Sequence, residues 1–205
     1  MSANFNAAVT SYLANISPTV LTVPFSMGMW CSLDAVGTVG RALWGLSDTG
    51  TANNYFTLKM MATEVIRLSI AAGGGEITLD ANAVNPRRWN FLLAEFNTSS
   101  SRRLTMLDDR GEGMISVTGI GGADPTGIDT MTIGILSTSA GISSAPWSGK
   151  IAEFWLANSN IIMDSTRRLD KNFTNKLAYQ GPFNFPHIAQ NIVEYRSFRK
   201  AITPD

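Results

Sequence analysis

Residues Ala145–Asn158 read "APWSGKIAEFWLAN". A turn bearing Pro and Gly runs into an apolar stretch that carries one acid, Glu153. Strict alternation sets Ile151, Glu153 and Trp155 on one face, and Ala152, Phe154 and Leu156 on the other. The pattern predicts a strand. Glu153, amid aromatics, poses two readings: the acid of a sugar-cleaving site, or a paired carboxylate in a structural sheet.

Positional counting favours the second. Retaining glycosidases hold two carboxylates roughly 5–5.5 Å apart, a separation that acids two or four residues apart on one strand supply. The positions two away from Glu153 are Ile151 and Trp155, and those four away are Gly149 and Ala157. Glu95 is alone in "LLAEFN" in the same way. Catalysis would need an acid from a neighbouring strand. The sequence therefore implies a structural carboxylate, bonded to an Arg, a Tyr hydroxyl or a backbone amide, because burying an unpaired charge is costly.

Composition narrows the rest. A chain of 205 residues fits one domain, and 44% hydrophobic residues suffice for a sizeable core. Charged residues are 16%, below the roughly 25% usual in globular chains, while 18 glycines point to many turns. Sixteen bases balance 16 acids, so no basic field draws nucleic acid. Arg87-Arg88 and Arg102-Arg103 read as solvated strand ends. Cys31 is the only cysteine and His187 the only histidine, which excludes an intrachain disulfide and a His-rich metal site. No G-x-S-x-G elbow supports a Ser-His-Asp triad. The first 18 residues have neither the basic start nor the apolar run of a signal peptide, and no stretch suits a membrane span. The expectation is a soluble chain made in a reducing cytoplasm.

Period-2 segments fill the middle of the chain. "RALWGLS" alternates Ala42, Trp44 and Leu46; "YFTLKMMA" alternates Phe56, Leu58 and Met60; "VIRLSIA" sets Ile66, Leu68 and Ile70 against Val65, Arg67 and Ser69. After the Gly73–Gly75 turn, "EITLD", "RRWNFLLAEFN", "RRLTMLDD", "GMISVTG" and "MTIGILS" continue the series. Trp89, Phe91 and Leu93 share one side. Such regular spacing predicts an all-β antiparallel jelly-roll sandwich. Beyond Asn160, an Asp164 or Ser165 cap, Leu169, Phe173 and Leu177 at helical spacing, and Gly181-Pro182 as a stop predict a short helix. "NIVEYRSF" reads as a last strand or arm, and Phe5, Val9, Tyr12 and Leu13 as an amphipathic turn. The organisation expected is an N-terminal docking segment, 1–17, a sandwich, 18–160, and a helical segment with a closing strand or arm packed on it, 161–205.

Four landmarks occur in order. "VPFSMGMWCSLD", "NPRRWNFLLAEF", "DTMTIGI" and "APWSGKIAEFWLAN" resemble successive strands of laminin-G-like domains in the concanavalin A-like lectin/glucanase superfamily. "RRLTMLDDRGEG" departs from the pattern, since its turn is displaced from the family's Asp-Gly hairpin. The helix, Gly-Pro and "NIVEYR" resemble the close of laminin-G-like proteins of tailed phages and prophages. The resemblance implies a non-enzymatic virion protein, with capsid decoration favoured over tail. Its partners would be the major capsid protein or other virion proteins, and other copies of itself. A carbohydrate-binding or host-recognition component is the alternative, and a glycoside hydrolase the third.

Candidate contacts follow. Trp44, Trp89 and Trp155 fall within apolar strand faces and read as core, leaving Trp147, in the turn, as the exposed stacking candidate, with Tyr55 beside Asn53-Asn54 next. Tyr12, Leu13, Phe183, Phe185 and Tyr195 lie outside the sandwich pattern and read as docking residues. No cofactor is implied. Calcium, which laminin-G-like domains sometimes bind, would draw on Asp108, Asp109, Asp124 and Asp129, although turn chemistry explains those residues equally well. "GIGGAD" lacks the spacing of a nucleotide loop.

Overall fold

The computed structural model describes residues 3–5, 12–15, 18, 22–33, 40–62, 64–81, 88–98, 100–110, 114–119, 121–138, 141–142, 146–159 and 171–196. Two antiparallel sheets stack face to face, as the alternating segments predict. The first has the order β1 (Ala3–Phe5), β14 (Gly149–Ala157), β3 (Phe25–Leu33), β8 (Asn90–Thr98), β9 (Ser101–Asp108) and β10 (Met114–Gly119). β15 (Ile192–Arg196) also pairs with β14. The second sheet runs β2 (Leu13–Asn15), β11 (Thr130–Ile133), β4 (Arg41–Ser47), β5 (Asn54–Met60), β6 (Ile66–Ala72) and β7 (Ile77–Ala81). A short ladder joins β12 (Ser137–Thr138) to β13 (Gly141–Ile142).

The inner faces are apolar because every second residue of each strand is. Phe25, Met27, Met29 and Cys31 from β3 meet Phe56, Leu58 and Met60 from β5 and Ile66, Leu68 and Ile70 from β6 in one buried core. At its centre Phe25 stacks on Phe96 with ring centroids 4.4 Å apart, and meets Phe56 edge-on at 5.1 Å. These offset and T-shaped geometries suit the ring quadrupoles.

Alternation breaks at β-bulges, two of which bear on the site. The register of β4 on β5 shifts between Ala42 and Trp44, so Ala42 leaves the face of Trp44 and Leu46 and packs outside with Tyr55, Ala71 and Leu136. The register of β14 on β3 shifts between Ala152 and Trp155. Glu153 sits in the shift with φ 52°, a left-handed conformation uncommon for a side chain other than glycine. The extra residue reverses the phase. Ile151, Phe154 and Leu156 face the main core, while Trp155 and Ala157 face outward.

That outward face of the first sheet is covered, not solvated. Phe91, Leu93, Leu107, Trp155 and Ala157 form a second core with Leu177, Ala178 and Ile188 from α1 (Lys171–Gln180) and α2 (Pro186–Ala189). The Trp155 indole lies so close over β3 that a Cβ on Gly28 would fall 2.3 Å from two of its ring carbons. Gly181 ends α1 at φ 77°, a backbone angle open to glycine, and its N–H bonds the Leu177 carbonyl at 3.1 Å, so the helix stops at Gly181-Pro182. Pro182–Asn184 then forms a 3-10 turn. The caps Asp164 and Ser165, with Leu169, lie outside the described residues, as does Val9.

Two expectations are corrected. Tyr12 and Leu13 do not form a helical turn: Leu13 opens β2, which pairs with β11. Within segment 1–17, Ala3–Phe5 and Leu13–Asn15 pair as β1 and β2, one in each sheet. Arg102 is not a solvated end: it is 4% exposed, with its guanidinium 4.0 Å from Asp124.

Candidate functional site

β14 meets β15 beside the second core, and the stretch from the end of α1 through the 3-10 turn closes over them. Between these elements lies a half-open cleft of about 330 Å³, lined by Glu153, Gln180, Asn184 and three aromatic rings, those of Tyr179, Phe183 and Tyr195. Gly181 and Pro182 complete the rim. The volume falls at the small end of ligand sites, which span about 300–1,000 Å³.

Each side chain has a local cause. The bulge places Glu153 at the cleft, because the phase reversal gives the core-facing positions to Ile151 and Phe154. β15 pairs with the C-terminal half of β14, setting Tyr195 opposite Trp155. Phe183, 54% exposed, meets the Tyr195 ring edge-on with centroids 4.8 Å apart. Tyr179, also 54% exposed, leans on Trp30 at 5.5 Å, and its hydroxyl donates to the Asp109 carbonyl at 2.8 Å. Trp30 in turn donates its indole N–H to the Ala178 carbonyl at 2.9 Å, which ties α1 to the sheet. Asn184 Nδ2 donates to the Gln180 carbonyl and braces the turn.

The C-terminal end of α1 carries the negative pole of its dipole, and its last turn contains no base to offset it. Lys176, expected in that turn, stands just before it. Burial pushes the Tyr179 hydroxyl above its ordinary range, and the charges of Asp108 and Asp109 push it the same way.

The cleft unites Glu153 with two residues expected to dock, Phe183 and Tyr195, while Phe185 packs against the second core. Tyr12 and Leu13, 45% and 43% exposed, lie on the other sheet. The stacking candidates are corrected. Trp147 has no exposed surface: its backbone N–H donates to the Gly134 carbonyl at 2.7 Å and the ring packs in the main core. Tyr55 is buried, and its hydroxyl donates to Glu76 at 3.1 Å. Glu95 is fully buried on β8, opposite Ser26 and Arg103 in register.

Each of the four aspartates considered for calcium has a partner of its own. Asp129 accepts from the Thr49 N–H and hydroxyl at 3.0 and 2.7 Å, and Asp124 faces Arg102. Asp108 accepts from the Arg110 N–H at 3.2 Å, and Asp109 lies 4.0 Å from Arg88. Among the described residues, no three His, Cys, Asp or Glu side chains gather as a metal-binding group. No described helix is long and apolar enough to cross a membrane.

No protein-family model matches the sequence, and no curated protein matches it. Solved structures do. Tailspike protein 2 from an Escherichia coli O157:H7 bacteriophage superposes with a TM-score of 0.66 at 15% identity, over 96% of this chain. The chain spans 26% of that tailspike. The CBM40 of a Ruminococcus gnavus sialidase, bound to α2,3-sialyllactose, gives 0.56 at 15% identity, covering 80% of this chain and 94% of its own. The LG1-3 region of the laminin α2 chain gives 0.57 at 10% identity, covering 82% and 33%. At these identities the likeness establishes architecture, and the chain has the jelly-roll sandwich fold shared by laminin-G domains, a sialidase CBM40 and part of a phage tailspike.

Proposed function

We propose that this chain is a non-enzymatic recognition component of a tailed-phage virion that binds carbohydrate through the cleft beside β15. The carrying observation is the exposed pair Tyr179 and Phe183, which with Tyr195 line an open cleft that also holds the Glu153 carboxylate. Aromatic faces take the C–H surfaces of a sugar ring, while a few polar groups fix its hydroxyls. The virion setting is supported by the phage-like closing pattern, "QGPF…NIVEYR", and by the tailspike's likeness over nearly the whole chain. Binding without hydrolysis is supported by the lining itself, in which Glu153 is the one carboxylate among the described residues. Two-carboxylate cleavage needs a second.

The test is retention on a broad panel of immobilised glycans, with reducing-sugar release followed in parallel. Retention that falls in Phe183→Ala and Tyr195→Ala, without sugar release, supports the proposal. Retention of no glycan overturns it, and catalytic release of sugar makes the chain an enzyme. Capsid decoration is a second reading, favoured by Tyr12 and Leu13, which stand exposed at the edge strand of the second sheet. It predicts that Tyr12→Ser with Leu13→Ser releases the chain from purified particles.

A further inference from the structure

Tyr179 spans two places on the surface. It lines the cleft, and its hydroxyl reaches the turn that follows β9, where it donates to the Asp109 carbonyl at 2.8 Å. The ring leans on Trp30 with centroids 5.5 Å apart and is still 54% exposed. A charged pair stands at that same turn. Arg88 Nη1 lies 4.0 Å from Asp109 Oδ1, beyond hydrogen-bond reach, and the two side chains are 43% and 35% exposed. A pair this open can take a ligand hydroxyl on each member, donating from the guanidinium and accepting at the carboxylate.

Resting on the reading of this cleft as a saccharide site, we propose that the site continues over Tyr179 onto Arg88 and Asp109, and that its ligand is a stretch of polysaccharide chain and not a single terminal sugar. One sugar residue sits in the cleft against Phe183 and Tyr195, the next lies over Tyr179, and a third sets its hydroxyls against the charged pair. Neighbouring hydroxyls of a sugar both donate and accept, so a donor and an acceptor 4.0 Å apart suit two of them. The cleft alone, at about 330 Å³, is too small for such a chain, and it is open where Tyr179 leads out of it. The bond to the Asp109 carbonyl pins the Tyr179 ring before a ligand arrives, so this platform costs little ordering on binding.

The experiment titrates the full chain with length ladders made by partial hydrolysis of starch, cellulose, chitin and purified bacterial O-polysaccharides. For the ladder that binds, affinity should rise about tenfold from disaccharide to trisaccharide, the scale of hydrogen bonds to charged groups, and level off beyond it. Arg88→Ala and Asp109→Ala should each bring the trisaccharide down toward the disaccharide and leave the disaccharide unchanged. The Tyr179 bond uses the Asp109 main chain and survives that substitution. Phe183→Ala should weaken every length. Affinity flat with length, or a gain untouched by both substitutions, while Phe183→Ala still weakens binding, overturns this inference and leaves the saccharide cleft standing. No binding of any ladder, or binding insensitive to Phe183→Ala and Tyr195→Ala, overturns the reading of the cleft itself. Near-ultraviolet circular dichroism of each variant checks that folding is intact, as it should be for an exposed pair.

Discussion

Gly28→Ala adds one carbon at the most constrained contact between the first sheet and its helical cover. The new Cβ would lie 2.3 Å from Trp155 Cε2 and Cζ2 and 2.7 Å from Nε1. Carbon atoms pack at about 3.5–4.0 Å, so the overlap exceeds about 1 Å. The indole has little room to retreat. Trp155 is 1% exposed and shares the second core with Leu177, Ala178 and Ile188. Either β3 must bend away or the helices must lift. Overpacking of this kind costs about 1–3 kcal/mol, and the rigid ring places Gly28→Ala in the upper half of that range. Urea denaturation followed by circular dichroism should show a lower midpoint at an unchanged slope. In a Trp155→Leu background the ring is gone, and the same substitution should cost less than about 0.5 kcal/mol. The cycle then gives a coupling above about 1 kcal/mol. An unchanged midpoint in Gly28→Ala, or an equal penalty in both backgrounds, would refute the reasoning.

Trp147→Ala should destabilise by about 3–5 kcal/mol through a core cavity, while the remaining folded protein keeps its glycan affinity; selective loss of affinity at intact stability contradicts the buried placement. Cys31 is 1% exposed and burial pushes its thiol up to about 12, so Ellman's reagent should label it only as the protein unfolds. Fast native labelling would count against that packing. Asp80 receives two hydrogen bonds from Arg67, both 2.7 Å, which hold its carboxyl below the ordinary value against a weaker opposing effect of burial. A lowered folded value means stability that is full above the unfolded value near 3.9 and is lost as pH falls through the folded one. Wild type should therefore lose up to about 1 kcal/mol more than Asp80→Asn between about pH 4.5 and 2.5, the scale of an exposed pair. Matching acid profiles would show that the pair contributes nothing.

Period-2 reading recovered β4 to β9 because each strand has a face committed to the core, as Phe56, Leu58 and Met60 show. It failed where a residue was inserted. Counting along "KIAEFW" cannot reveal that Glu153 opposes no residue of β3, since a bulge is a property of two strands and the sequence shows one. Ala42 was misplaced for the same reason. Trp147 followed Pro146 and suggested a surface turn, yet its ring lies in the main core among residues distant in sequence. The cleft was half legible. Glu153, Phe183 and Tyr195 each stood out by type, but their convergence requires β15 to pair with β14. Tyr179 gave no signal beyond an aromatic near a helix end, where covering the second core is the more ordinary role.

The pairing along β14 has a topological consequence. Phe5 and Ala3 sit opposite Gly149 and Ile151, and Arg196 and Ile192 opposite Phe154 and Ala157. β15 and β1 thus run in the same direction, one behind the other, along a single neighbour, and Ala152 and Glu153 mark the gap between them. Together they make one interrupted edge strand drawn from opposite ends of the chain. The molecule is therefore nearly circular in its wiring. A short link from Arg196 to Ala3 would heal the seam, and the open glycine turn at Gly73–Gly75, where an added Cβ meets nothing within 4 Å, offers a place to cut. Such a rewired chain would keep every ladder while opening the chain at the far sheet instead of beside the β15 cleft.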